Sequence, residues 1–322
     1  SVGYLIGEEN MGLNYMFTTI NEARIRAGGH GLACTSGALQ GASQYARDRV
    51  QGRPVGMTKE EAKDSSIIDH ADVRRTLMTI KSYLDAMRYM NYDNHLMLDL
   101  EYFAEGELKD FGKERCGILT PITKAWISDL SVELTSMAIQ VYGGMGYVEE
   151  TGIAQYFRDA RIAPIYAGTN GIQAEDLVFR KITLNDGKAV ESLLKEMRTN
   201  ISSMKEHENL EPLSEILERH VAEIEEATQY LLKELGKGNL AGVSASGTPY
   251  LKMFGQVLGG HYMGKAAVTA TKNLLEDNTE FYNDKFTLSK FYIEQLLPLA
   301  SSYFSSVMLG KENLYSIDSN SF

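Results

Sequence analysis

Residues 140–181 read QVYGGMGYVEETGIAQYFRDARIAPIYAGTNGIQAEDLVFRK, and this stretch decides how the rest of the chain is read. Gly143-Gly144-Met145-Gly146 lacks Cβ atoms at three of four positions, so its backbone can lie close to something flat or charged. Pro164 ends the helix that the spacing predicts up to about Ile162. Tyr166-Ala167-Gly168-Thr169-Asn170 then turns into a second helix, which starts near Asn170 and carries Ile172, Asp176, Phe179 and Arg180. A helix entry of this kind, with free backbone N–H groups, suits an anionic or acceptor-rich ligand. Either piece alone reads equally well as a glycine loop or a helix cap with no ligand. Together, in this order and at this spacing, they are far more specific.

Composition sets the frame around this stretch. A chain of 322 residues accommodates about two domains and a substantial core. Six prolines and the near absence of alternating β-type patterns predict an all-α protein. The net charge of -11 argues against nucleic acid or an anionic membrane as partner, although local arginines can still receive a phosphorylated ligand. Cys34 and Cys116 are too few for a disulfide framework and too far apart for a metal knuckle, and they read as buried thiols of a cytosolic, cytoplasmic protein. No apolar run approaches the ~18 residues of a membrane span, and no signal peptide is visible. Walker, G-x-G-x-x-G, G-x-S-x-G and zinc spacings are all absent, which leaves hydrolase, kinase and metal-enzyme readings without an anchor.

Working outward, residues 1–12 read as a short strand and a turn, with Glu8 and Glu9 placed for a helix entry. Leu13, Met16, Phe17 and Ile20 begin a long helix towards Arg49. The polar stretch 51–69, broken by Gly52, Pro54 and Gly56, predicts a loop. His70, at the next helix entry, reads as a cap or polar contact. Further helices are expected from Val73 to about Glu107 and from Leu119 to Tyr142, with 108–117 as a charged connection. Leu184-Asn185-Asp186-Gly187 makes a joint. Beyond it, Leu217, Val221, Ile224, Leu231 and Leu235 form a stripe suited to a bundle core or a partner helix. A turn region at 236–247 precedes two helices, Pro249–Leu275 and Phe281–Leu309, whose aromatics are read as core.

The central stretch resembles the C-terminal signature of the acyl-CoA dehydrogenases, in which Q-V-x-G-G-x-G-Y precedes R-D-A-R-I and then I-Y-E-G-T-x-x-I-Q. Gln140, Val141, Gly143, Gly144, Gly146, Tyr147, Arg158, Asp159, Arg161, Ile165, Tyr166, Gly168, Thr169, Ile172 and Gln173 all match. The glutamate before Gly-Thr, the family's catalytic base, is Ala167 here. The resemblance implies the family's C-terminal helical bundle at 10–185, preceded by the end of a β-domain at 1–9. It is followed by the extra, smaller helical bundle of one larger branch at 186–322. A chain starting at Ser1 without methionine then reads as a piece of something longer.

The resemblance also implies FAD as cofactor and an acyl-CoA thioester as substrate. By it, Arg49, Gln140, Gly143, Gly144, Thr169, Asn170 and Gly171 contact FAD. Arg49, Gln140 and the glycines do so across a subunit boundary, which implies a homo-oligomer, a dimer or tetramer. A guanidinium at Arg49 suits a pyrophosphate because it forks onto two oxygens. Arg24, Tyr166 and Gly168 line the acyl-CoA site; read without the resemblance, Arg24 is equally a salt-bridge residue. No metal is expected.

Oxidising an acyl-CoA between its α and β carbons needs a base for the α proton, and Ala167 has no ionisable group. Some branches place the glutamate immediately before the arginine matching Arg24, but that residue is Ala23; Glu22 lies one position off, about 100° around the helix. Glu149, Glu150 and Glu175 read as solvent or salt-bridge residues. A natural loss of the base, an engineered replacement made to trap a substrate complex, or a base supplied by the half of the family's fold that this chain lacks would each account for Ala167. The rival reading is a non-catalytic helical assembly or binding module on the same fold.

Overall fold

Three long helices carry the first half of the chain in the computed structural model, which describes residues 1–63, 65–276 and 279–321, with the side chains at 18 and 276 left aside. They are α1 (Gly12–Asp48), α2 (Ala71–Phe103) and α3 (Gly106–Tyr142). Asn91 Nδ2 donates to Ile25 O (3.1 Å) and Asn94 Nδ2 to Thr123 Oγ1 (3.0 Å), while Tyr45 stacks on Tyr142 with centroids 4.1 Å apart. These contacts set α1 and α3 parallel, with α2 antiparallel to both. Gly31 brings α1 close to α3: a Cβ there would meet Ser131 Oγ at 2.9 Å.

After α3 come the short α4 (Gly144–Tyr147) and then α5 (Ile153–Ile162) and α6 (Asn170–Asp176), the last running into a π-helical turn at Leu177–Lys181. The remaining helices are α7 (Lys188–Lys205), α8 (Glu211–Gly236), α9 (Leu240–Glu276), α10 (Glu280–Phe291) and α11 (Ala300–Leu309). α9 is the hub of the second half, packing against α2, α3, α6, α7, α8, α10 and α11. Trp126 packs against Gly255 of α9, where any Cβ would overlap the indole. One continuous apolar core runs from Ile25 through Trp126 to Val307, so the turn at 184–187 joins halves that share an interior. Leu217, Val221, Ile224 and Leu231 belong to that core, as do Tyr250, Phe254 and Tyr292.

The all-α expectation holds, with no strand among the described residues. Four boundaries differ. Residues 1–6 form no strand; a lone strand has no ladder partner for its backbone groups. The charged stretch 108–117 is helix, not connection, because Lys109, Asp110 and Lys113 lie outward while Gly112, Cys116 and the ion-paired Arg115 face inward. Residues 240–247 already belong to α9, since this Gly- and Ser-rich run packs tightly: Ser246 Oγ donates to Val307 O at 2.8 Å. The single helix expected at 281–309 is broken by a π-turn at Tyr292–Leu296 and a 3₁₀ turn at Leu297–Leu299 that carries Pro298, which has no N–H to continue the ladder.

Both cysteines are buried free thiols, and burial pushes Cys116 up to about 11. His70 opens α2 with Nε2 3.0 Å from Gln51 O, the polar contact expected of it. Among the described residues no helix is long and apolar enough to cross a membrane, and no cluster could hold a metal ion.

Candidate functional site

α5 stops at Ile162, Pro164 follows, and the chain turns through 165–169 before α6. Two consecutive residues of that turn are left-handed, Ala167 (φ 56°) and Gly168 (φ 82°). Glycine accepts this readily; for alanine it costs about 1 kcal/mol. The surroundings hold it there. Asn170 N donates to Pro164 O (3.0 Å), Gln173 Nε2 to Gly168 O (3.3 Å), and Arg24 Nε makes a long 3.5 Å contact with Ala167 O. Thr169 caps α6, its Oγ1 accepting from Ile172 N at 3.3 Å.

Arg24, on α1, is 5% exposed and pairs with Asp176 Oδ2 at 3.1 Å, donating also to Asn21 Oδ1 at 3.2 Å. Asp176 in turn receives Arg180 Nε at 2.7 Å. The carboxylate thus bridges two guanidinium groups across α1 and α6, and satisfies the salt-bridge reading of Arg24 while Arg24 still touches the turn. Desolvation lowers the proton affinity of Arg24, with Asp176 opposing.

The carboxamide of Asn170 is fully engaged inside the protein. Its Oδ1 accepts from Lys124 Nζ at 2.8 Å, and its Nδ2 reaches Ala125 O (3.1 Å), Ser128 Oγ (2.9 Å) and Asp129 Oδ1 (2.7 Å). Lys124 is wholly buried, and desolvation pulls its ammonium down to about 8, Asp129 raising it and Arg24 lowering it. Sequence reasoning passed over this residue. A lysine in the middle of a long helix looks like a solvated one, and only the nearby apolar residues Ile122, Ala125 and Trp126 hinted otherwise.

The structure thus gathers Arg24, Tyr166, Ala167, Gly168, Thr169 and Asn170 around one turn, with Gly171 in the first turn of α6. Tyr166 is exposed, its ring edge-on to His30 with centroids 6.3 Å apart. Arg49, Gln140, Gly143 and Gly144 form a second group where α1 and α3 end together, fixed by the Tyr45–Tyr142 stack. All four are exposed; Arg49 holds Gln51 Oε1 at 3.3 Å, and nothing lies within 4 Å of a Cβ built on either glycine.

Glu22 is paired with Arg26 and lines a cavity of about 310 Å³ together with Asp176, Cys116 and Tyr102. Ala167 is not among the walls of that cavity. Glu149 lies 3.7 Å from Arg158 and Glu150 is exposed, in keeping with salt-bridge and solvent roles, whereas the half-buried Glu175 accepts a hydrogen bond from Ser244 Oγ.

The family profile described as "Acyl-CoA dehydrogenase, C-terminal domain" matches residues 10–181. The chain belongs to the acyl-CoA dehydrogenase family. A second profile, "Acetyl-CoA dehydrogenase C-terminal like", matches 193–318. Among relatives, the 3-methylmercaptopropionyl-CoA dehydrogenase of Ruegeria pomeroyi is 34% identical over 95% of this chain and 52% of its own length. The broad-specificity linear acyl-CoA dehydrogenase FadE5 of Mycobacterium tuberculosis is 28% identical over 93% of the chain and 51% of its own length. The chain therefore spans about half the length of the curated relatives it matches. Among solved structures, an acyl-CoA dehydrogenase complexed with FAD from Bacillus anthracis aligns with TM-score 0.72 at 16% identity, over 94% of this chain and 51% of that one. At that identity it supports the family's helical fold alone.

Proposed function

We propose that this chain supplies the flavin- and thioester-facing helices of an FAD-dependent acyl-CoA dehydrogenase whose usual base position is vacated by Ala167. The observation that carries the reading is the turn 165–169. It is built and held as a binding element, yet it presents a methyl group where the family's carboxylate stands. The relatives named above are dehydrogenases of acyl-CoA thioesters, and one structural neighbour is described as complexed with FAD.

The residues present fit such a cofactor. Arg49 and Gln140 are exposed beside the open Gly143–Gly144 backbone, a donor-bearing surface that a phosphate-containing group could lie along. Gln173 Oε1, next to the turn, is buried with no hydrogen-bond partner among the described residues. Thr169 and Gly171 would meet the flavin, and Asn170, its side chain engaged internally, would contribute through its backbone. FAD, when bound, supplies the acceptor for the hydride that leaves the β carbon of the thioester. Arg24 and Gln173 hold the carbonyls of Ala167 and Gly168, and Tyr166 and Gly168 flank the acyl site. Because Arg49, Gln140 and the glycines lie apart from the turn, the reading carries with it a second copy of the chain, each group serving a different flavin.

Ala167 also supports a second reading, a binding module that holds flavin or acyl-CoA without turnover. Both readings are tested by adding FAD and then a series of saturated acyl-CoA thioesters, anaerobically, while the flavin absorbance is followed. Uptake of FAD without bleaching supports the vacated-base reading. Bleaching by any thioester points to a base other than residue 167, and failure to take up FAD removes the flavoprotein reading.

A further inference from the structure

Lys124 is one of the largest side chains in the molecule with no exposure, and it makes no ion pair among the described residues. Its ammonium has three donors, and the one contact described for it is the 2.8 Å bond to Asn170 Oδ1. A buried cation is unfavourable unless a carboxylate answers it. The acidic charge acting on it is Asp129, in its own helix, but Oδ1 of that carboxylate takes Asn170 Nδ2 instead. Arg24, across on α1, opposes the charge, and Arg24 is itself held by Asp176, which also binds Arg180. An apolar side chain of similar length would pack here with less penalty.

What the cation accomplishes is visible in Asn170. The two ends of a carboxamide have similar shape and opposite hydrogen-bonding character. With an ammonium on Oδ1, Nδ2 must face Ala125 O, Ser128 Oγ and Asp129 Oδ1; reversed, the amide would set N–H groups against the ammonium. Asn170 is where the turn enters α6, and its N–H closes the turn onto Pro164 O. Without that anchor, two left-handed residues, one of them alanine, would be held through their carbonyls only by Arg24 at 3.5 Å and Gln173 at 3.3 Å.

We propose that Lys124 is the positioning residue of the flavin site, acting through Asn170 to hold the turn Tyr166–Gly171 in the shape that receives the cofactor. This rests on the reading of that turn as part of the flavin site. Desolvation lowers the ammonium to about 8, against Asp129 and with Arg24, so the anchor weakens as pH rises through that region.

The test is a titration of the full chain with FAD, followed by quenching of flavin fluorescence, at about pH 7 and about pH 9.5, on either side of that value. Wild type, Lys124→Met, Asn170→Ala and the double variant are compared. Each single variant is expected to bind FAD about tenfold more weakly, the scale of one charge-assisted hydrogen bond. The double variant should lose no more than either single one, because the two residues act in series. Wild-type affinity should fall between the two pH values while Lys124→Met stays flat. A double variant whose loss is the product of the single losses, or a Lys124→Met that follows the wild-type pH profile, overturns the proposal. Should Lys124→Met fail to fold, Asn170→Ala decides: a flat profile supports the proposal and a wild-type profile overturns it. A wild-type chain that takes up no FAD overturns the flavin reading itself, an outcome distinct from a wild type that binds FAD and variants that bind equally well.

Discussion

Replacing Lys124 by methionine removes a charge from the middle of the helix packing, and its consequence for stability depends on pH in a calculable way. The ammonium titrates at 10.5 in the unfolded chain and at about 8 in the folded one. Between those values the unfolded chain holds a proton that the folded chain has given up, so wild-type stability rises with pH across that window. At about 1.4 kcal/mol for each tenfold change in proton affinity, the lowering from 10.5 to about 8 is worth about 3 kcal/mol. Water reaching the half-buried Asn170 end trims this to about 2 kcal/mol. Methionine carries no proton, so Lys124→Met lacks this rise. Relative to wild type, the variant should be most favoured at neutral pH and lose about 2 kcal/mol of that advantage by about pH 10.5. Tyr83, Tyr250, Tyr262 and Tyr292, all raised by burial, contribute identically to both proteins and cancel in the difference. Urea unfolding at a series of pH values gives the comparison directly. A stability difference that stays constant from neutral to alkaline pH would refute the assignment of a strained, buried ammonium.

Asp176→Asn leaves the buried Arg24 and its neighbour Arg180 without their shared carboxylate, and should destabilise the fold by about 3 kcal/mol in thermal or urea unfolding; a loss below about 1 kcal/mol would mean the pair behaves like a surface one. Gly255→Ala drives a methyl group into Trp126, which should cost about 2 kcal/mol or more and shift the emission of this single tryptophan. Glu196 sits against His261 Nε2 (3.5 Å), Arg115 (2.5 Å) and Lys265 (3.4 Å), and the His261 bond followed by Arg115 holds its carboxyl well below the usual range. Its contribution is therefore present above about pH 4.5 and lost as pH falls below it, so the stability gap between wild type and Glu196→Gln should narrow on acidification.

The long helices were legible because apolar residues recur at helical spacing along them, as with Leu217, Val221 and Ile224. The turn at 165–169 was legible for another reason: Pro164 and Gly168 announce it. Two of the errors share one cause. Residues 108–117 and 240–247 are helical through tertiary contacts, the first by burying Arg115 against Glu196, the second by nesting small residues such as Ser246 against α11. Local composition, charged in one and glycine- and serine-rich in the other, pointed to loop. Lys124 escaped notice because a lysine's burial is a property of what packs over it, and that arrives from Asn170, distant in sequence. Arg24 was singled out from sequence, but only the folded chain shows that Asp176 and the carbonyl of Ala167 share it.

We infer that residue 167 is the vacated base position of a flavin-dependent acyl-CoA dehydrogenase. It is tested most directly by anaerobic flavin bleaching with saturated acyl-CoA thioesters, on protein expressed from its full reading frame, wild type against Ala167→Glu. Bound FAD is expected in both, with no bleaching in wild type and bleaching in Ala167→Glu with at least one thioester. Wild-type protein that bleaches as fast as Ala167→Glu would contradict it, by showing that the proton is taken by a group other than residue 167.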